Sequence, residues 1–178
     1  NLDSSKLYFR QKLDSINEYM SYKQIPEELQ NEVRNYFLYL WKSGKGLDKN
    51  QALDQLPQYL KHKMNMFLNS DVVSRVPLFE KWKNDENFLQ EIVKNLTTRI
   101  YLPRAVVVCE GDIGTEMYFV SHGELNVISS CGTKVVWTFK DGDYFGEIAI
   151  LLDAKRTATI VARTYCDMSI LTKEAFKK

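Results

Sequence analysis

The chain of 178 residues is long enough for one large domain or two small ones, and its 44% apolar content supplies a packed core. Its 24 basic and 23 acidic side chains leave a net charge of +1, which argues against a polyanion such as DNA as main partner, because that binding needs a concentrated basic footprint. No apolar run approaches the ~18 residues of a membrane span, and no apolar leader opens the sequence, so the segment is expected in the cytoplasm.

Before residue 97 apolar side chains recur at helical spacing. Phe9, Leu13, Ile16 and Met20 form one stripe, and Leu29, Val33, Tyr36, Phe37 and Leu40 a second. Between them QIPEELQ puts Pro26 at a first-turn position, with Glu27 and Glu28 where the helix dipole favours negative charge. SGKG at 43–46 stops the second helix, and DKNQ at 48–51 reads as a capping box opening a short third. Pro57 starts a fourth, with Leu60, Met64, Phe67 and Leu68 on one face. DVVSRVP at 71–77 predicts one or two helical turns ended by Pro77, and a further helix is predicted from about Asp85 to Leu96. The aromatic load of the second helix (Tyr36, Phe37, Tyr39, Trp41) exceeds what one stripe needs. Two readings are open: a helical subdomain packed on itself or on the sheet, or a helix–turn–helix surface that docks on a neighbouring subunit, since aromatics are enriched at interfaces.

From Thr97 the period changes. RIYL, AVVVC, MYFVS, LNVIS, VVWTF, TATIVAR and CDMSIL are short runs rich in β-branched and aromatic residues, separated by EGDIG, HGE, SCGT and KDGD turns. Strands at this spacing predict a small antiparallel sandwich or roll. TKEAFKK at 172–178 begins a helix with Thr172 as its cap; so short a helix buries no useful face, and the end is expected to be a boundary within a longer protein.

No catalytic or metal-binding pattern stands out. Cys109, Cys131 and Cys166 are too far apart for a zinc knuckle or a CxxC pair, and neither His62 nor His122 has a partner at metal-ligand spacing. There is no Walker loop, GxSxG or HExxH, so no enzyme activity is expected. DYFGEIAILLDAKRTATIV is different, because it sets Glu147 and Arg156 inside apolar surroundings, where an unpaired charge costs several kcal/mol. Gly146 lets backbone approach a ligand closely, and a short helix after it would aim free N–H groups at an anion. Arg156 could add a bidentate pair to two phosphate oxygens, and Glu147 could accept from a ribose 2′-hydroxyl. The constellation fits a nucleotide monophosphate; the other open reading is that Glu147 and Arg156 simply pair with each other.

GDYFGEIAILLDAKRTATI resembles the phosphate-binding cassette of cyclic nucleotide-binding domains, F-G-E-[IL]-[AC]-L-L, a variable break, then R-[TS]-A, and EGDIGTEMYFVSHGELNV resembles the preceding hairpin. INEYMSYKQIPEELQNEVRNYFLYLWKSGKGLDKNQALDQLP is similar to the C-linker of cyclic nucleotide-gated and hyperpolarisation-activated channels. The resemblance implies an α+β fold: an N-terminal α-helical C-linker over residues 1–76, for oligomerisation and gating, then a cyclic nucleotide-binding antiparallel β-roll with flanking helices over 77–178. This roll is a double-stranded β-helix of jelly-roll type, and its final lid helix is missing from the segment.

Carried over residue by residue, the phosphate falls on Arg156 and on backbone around Gly146, Ile148 and Ala149. Glu147 takes the 2′-hydroxyl, and Thr157 reaches the phosphate or a guanine amino group. Val127, Trp137 and Phe139 face the purine, with Trp137 bulkier than the pattern. The implied ligand is cAMP or cGMP, with no cofactor or metal. The implied partners are copies in a homotetramer or heterotetramer joined through C-linker helices, with no nucleic acid, and with the plasma membrane reached through the parent channel's pore. The pattern's Pro-Gly-Asp turn is replaced by Pro103, Arg104 and Ala105, which predicts a turn of different shape. Three alternatives carry the same roll: a kinase regulator, a transcription factor, and an interaction domain that has lost its ligand.

Overall fold

The computed structural model describes residues 2–43, 56–74, 76–82, 84–130, 132 and 134–177. The predicted third helix at 48–51 and Cys131 lie outside them. The chain divides into two compact units, Asn1–Lys61 and His62–Lys178.

In the first unit, α1 (Leu2–Tyr22) and α2 (Glu27–Lys42) follow the two apolar stripes. Pro26 caps α2, its carbonyl accepting from Gln30 N–H at 3.0 Å, and Glu27 and Glu28 occupy the first turn. The proline suits this place because the N–H it lacks would have no helical partner. The helices meet through the rings of Phe9 and Trp41, stacked 4.8 Å apart, and through Arg34 Nε donating to Asn17 Oδ1 at 2.9 Å. Part of the aromatic load of α2 therefore packs on α1, while no residue of α2 is fully buried.

Helix α3 (Gln58–Ser74) starts behind Pro57, whose carbonyl accepts from the N–H groups of Leu60 and Lys61. Here the structure corrects the sequence reading. Residues 71–74 continue α3 instead of forming a separate turn, and Pro77 opens a 3₁₀ helix, Pro77–Trp82, instead of ending one. Proline lacks a donor, which forbids a helix interior but is harmless in a first turn. Helix α4 (Glu86–Lys94) is capped by the Asp85 carboxylate, which accepts from Asn87 N–H and Phe88 N–H at 3.0 and 3.2 Å.

Among the described residues eight strands follow: β1 (Thr97–Tyr101), β2 (Val106–Val108), β3 (Glu116–His122), β4 (Leu125–Ile128), β5 (Val135–Phe139), β6 (Tyr144–Phe145), β7 (Thr159–Ala162) and β8 (Cys166–Thr172). Helix α5 (Glu147–Leu152) separates β6 from β7, and α6 (Lys173–Phe176) closes the chain with Thr172 Oγ1 accepting from Ala175 N–H. Strand β6 is absent from the predicted strands, since two residues are too few to show a period. The strands make two four-stranded antiparallel sheets, ordered β1-β8-β3-β6 and β2-β7-β4-β5, so the expected α+β fold with a β-roll is present.

Strand β3 explains the layering. Tyr118 and Val120 face the core between the sheets, with Leu125, Ile160 and Met168. Met117 and Phe119 face a second core, built with Val73, Val76, Phe79, Ile92 and Val93. Successive strand residues point to opposite faces, so a strand buried on both must be apolar throughout. The run MYFV meets that demand. The turn at Pro103–Arg104 keeps its closure despite the departure from pattern: Ala105 N–H donates to Leu102 O at 3.0 Å, with Arg104 at φ 74°.

Candidate functional site

The aromatic and aliphatic residues between the sheets do not fill all the space between the strands and α5. A cavity of about 320 Å³ remains there, within the size range of small-molecule sites. Its apolar wall comes from Val108, Val127, Phe139, Phe145 and Ile160 on four strands of the roll and on β6, and its polar wall from residues 146–149 and 155–158.

The polar wall is built by α5 and the loop after it. Gly146 caps α5 at φ 86°, a left-handed conformation that costs a side-chain-bearing residue about 1–2 kcal/mol. The helix that starts there leaves its first N–H groups without helical partners. The loop is pinned to the EGDIG turn: Arg156 N–H donates to Asp112 O at 2.7 Å, and Gly111 N–H donates to Arg156 O at 2.8 Å. Gly114 permits the approach, since a Cβ there would lie 2.2 Å from the Cβ of Ala149 and 2.9 Å from the Cζ of Arg156.

The Arg156 guanidinium is held from one side. Its Nη2 donates to the main-chain oxygen of Glu116 at 2.7 Å, and its Cζ lies 5.5 Å from the centroid of the Tyr118 ring. Its Nη1 is buried and has no hydrogen-bond partner among the described residues. A buried guanidinium donor left unbonded is costly, so this atom is suited to receive an acceptor. Lys155 brings a second cation to the lining and Glu147 brings its acid. Among the described residues, no ion pair joins Glu147 to Arg156, so the alternative in which the two merely neutralise each other is not what the structure contains. Tyr144, also in the lining, has its phenol raised above the ordinary value, first by burial and then by the charge of Glu147.

Residues 98–178 match the family model described as cyclic nucleotide-binding domain. This segment belongs to the cyclic nucleotide-binding domain family.

The likeness reaches beyond the domain. The chain is 32% identical over 180 residues to human cyclic nucleotide-gated channel alpha-3, covering 98% of this chain and 26% of that protein. It is 33% identical over 175 residues to human cyclic nucleotide-gated channel beta-1, covering 96% and 14%. It is 30% identical over 178 residues to human potassium/sodium hyperpolarization-activated cyclic nucleotide-gated channel 1, covering 100% and 19%. The chain thus spans about a quarter or less of the relatives it matches.

Within the cyclic nucleotide-binding domain, the cavity gathers Gly146, Glu147, Ile148, Ala149, Arg156, Thr157, Val127 and Phe139. Trp137 stands apart. It pairs with Val127 across β4 and β5, is 62% exposed, and does not line the cavity. The sequence reading missed Val108, Phe145 and Ile160 on the apolar wall, Lys155 on the polar one, and Glu116 and Tyr118 behind the arginine. Strand alternation within AVVVC and TATIVAR carried a signal for Val108 and Ile160. Nothing local marks Glu116, because it holds Arg156 through its main chain.

The remaining candidates are bland. Cys109 is exposed; Cys166 is buried, its thiol pushed up chiefly by burial. The exposed His122 lies 3.1 Å from Asp141. Among the described residues, no group of His, Cys, Asp and Glu is arranged to hold a metal ion, and no helix is long and apolar enough to cross a membrane.

Proposed function

We infer that this chain is the ligand-sensing and gating module of a cyclic nucleotide-regulated channel, binding cAMP or cGMP without transforming it. The observation that carries the reading is the buried, unpartnered Nη1 of Arg156 beside Gly146, at the edge of a cavity whose opposite wall is apolar. That pairing of one waiting cationic donor with an apolar slot matches a ligand with one phosphate and one flat base. In this reading Arg156 and the first N–H groups of α5 take the cyclic phosphate. Glu147 takes the ribose 2′-hydroxyl, a role open to it because no ion pair among the described residues engages it. Thr157 lies beside the phosphate, and Val127 and Phe139 face the purine.

The channel part of the reading is supported by relatives whose names are those of channels and whose likeness extends through the helical residues. Residues 1–76 act as a C-linker that joins subunits in a tetramer on the cytoplasmic side of the plasma membrane, and residues 77–178 sense the nucleotide. Ligand biases the pore only through its different affinity for the closed and open states, a coupling of roughly 1–3 kcal/mol in allosteric proteins.

Calorimetric titration of the chain with cAMP and with cGMP tests the reading, with Arg156→Glu as control. The substitution sets like charge against the phosphate and is expected to weaken binding by about one and a half to three and a half decades. Equal binding by the two proteins would remove Arg156 from the site. Binding of neither nucleotide by the unaltered chain would favour a ligand-free interaction domain.

A further inference from the structure

We propose that Tyr118, with Glu116, is a positioning residue that holds the Arg156 guanidinium in place at the polar wall of the cavity, ready for the anionic group of the ligand. The inference rests on the binding reading above and assigns a role to two residues outside the cavity lining.

The geometry is a short chain of contacts that starts on β3 and crosses to the other sheet at Phe139. Tyr118 is 3% exposed, and its ring lies beneath the Arg156 Cζ at 5.5 Å. The same ring stacks on Phe145 at 4.9 Å, and Phe145 stacks on Phe139 at 5.1 Å, so the platform under the arginine continues into the apolar wall of the cavity. Burial and this stacking hold the ring in place, and its hydroxyl also donates to Glu116 Oε2 at 2.7 Å. Glu116 is held in turn by Arg99, whose Nη2 and Nη1 donate to the two carboxylate oxygens at 2.8 and 3.3 Å. The main-chain oxygen of the same Glu116 receives Arg156 Nη2.

Two constraints therefore act on one planar group, a π face below it and an acceptor at its side. A long cationic side chain loses much rotamer freedom on binding, and prior confinement removes that loss from the binding step. Arg99 has a further use. It offsets the Glu116 carboxylate, so an acid two residues from Tyr118 does not oppose an arriving anion. Burial, and then the bond to Glu116, raise the Tyr118 phenol well above its ordinary range, so the hydroxyl remains a donor at neutral pH.

The test has one arm that needs no ligand. In the ligand-free chain, ¹⁵N relaxation of the Arg156 Nε–Hε group should report an ordered side chain in the unaltered protein and in Tyr118→Phe, which keeps the ring. In Tyr118→Leu the order parameter should fall below about 0.6. Equal order in all three proteins overturns the assignment. In the second arm, titration with cAMP and cGMP should show roughly threefold to thirtyfold weaker binding for Tyr118→Leu, the span of a cation–π contact, and a change within about threefold for Tyr118→Phe. Repeating Tyr118→Leu in an Arg156→Gln background should give no further loss. An equal loss in both backgrounds would mean that Tyr118 acts on the fold alone, and the proposal falls. If Tyr118→Leu does not fold, Tyr118→Met fills the space without a π face and serves both arms. Should the unaltered chain bind neither nucleotide while the relaxation arm holds, the binding reading fails and the positioning assignment stands.

Discussion

The Nη1 of Arg156 lies where a side chain on Gly146 would stand. A Cβ built on Gly146 would come within 2.6 Å of that nitrogen and within 2.9 Å of the Glu116 main-chain oxygen. The glycine is thus required twice, once for its backbone at φ 86° and once for the room it leaves. Gly146→Ala is expected to lower stability by about 1–2 kcal/mol through backbone strain, and to weaken cyclic nucleotide binding by about tenfold or more as the guanidinium is displaced. Urea denaturation and calorimetric titration measure the two effects separately. Unchanged affinity would show that Nη1 does not face the ligand.

Arg104 offers a gain. It occupies a left-handed position at φ 74° in the Leu102–Ala105 turn, and its side chain is exposed. Arg104→Gly removes strain of about 1–2 kcal/mol and adds about 0.5–1 kcal/mol of unfolded-state entropy to be lost on folding. The net expectation is a gain of roughly 0.5–1 kcal/mol, read as a higher urea midpoint at unchanged slope. Nucleotide affinity should not move, since Arg104 does not line the cavity.

The second core makes a separate claim. Phe79, on the 3₁₀ helix, is fully buried and meets the rings of Phe88 and Phe176 at 5.6 and 6.1 Å. Phe79→Ala should cost about 3–5 kcal/mol, the range for truncating a buried aromatic. Thermal unfolding would reveal it. A loss below ~1 kcal/mol would mean that the helices on that side contribute little to the roll.

Alkaline pH should destabilise the domain through Tyr118. Its phenol titrates higher in the folded protein than its ordinary value of 10.0, so the neutral form is favoured by folding. Below pH 10 both states are protonated and the stabilisation is complete; above it the unfolded chain loses its proton first and stability declines. Ten tyrosines share this region, so the comparison is with Tyr118→Phe. Urea unfolding from pH 8 to 11 should show a shallower decline in the variant. Parallel profiles would remove Tyr118 as the source.

Most of the local structure was legible because it is dictated locally. Pro26, the Asp85 cap and the Thr172 cap mark helix starts through backbone donors that need partners within a few residues. Pro77 misled because the same missing donor fits the end of one helix and the start of the next. β6 escaped notice because its two residues are a strand only by pairing with Tyr118 and Phe119 of β3.

From the sequence alone came the change from helices to strands near residue 97, most of the individual elements, and the spacing of Gly146, Glu147 and Arg156, since periodicity and turn chemistry act over a handful of residues. What the tertiary structure decided was the state of the arginine. Its partner is the main-chain oxygen of a residue 40 positions earlier, and every residue type carries that acceptor. No side-chain pattern can announce such a contact. It exists because β3 and the loop after α5 are brought together by two sheets closing around one core.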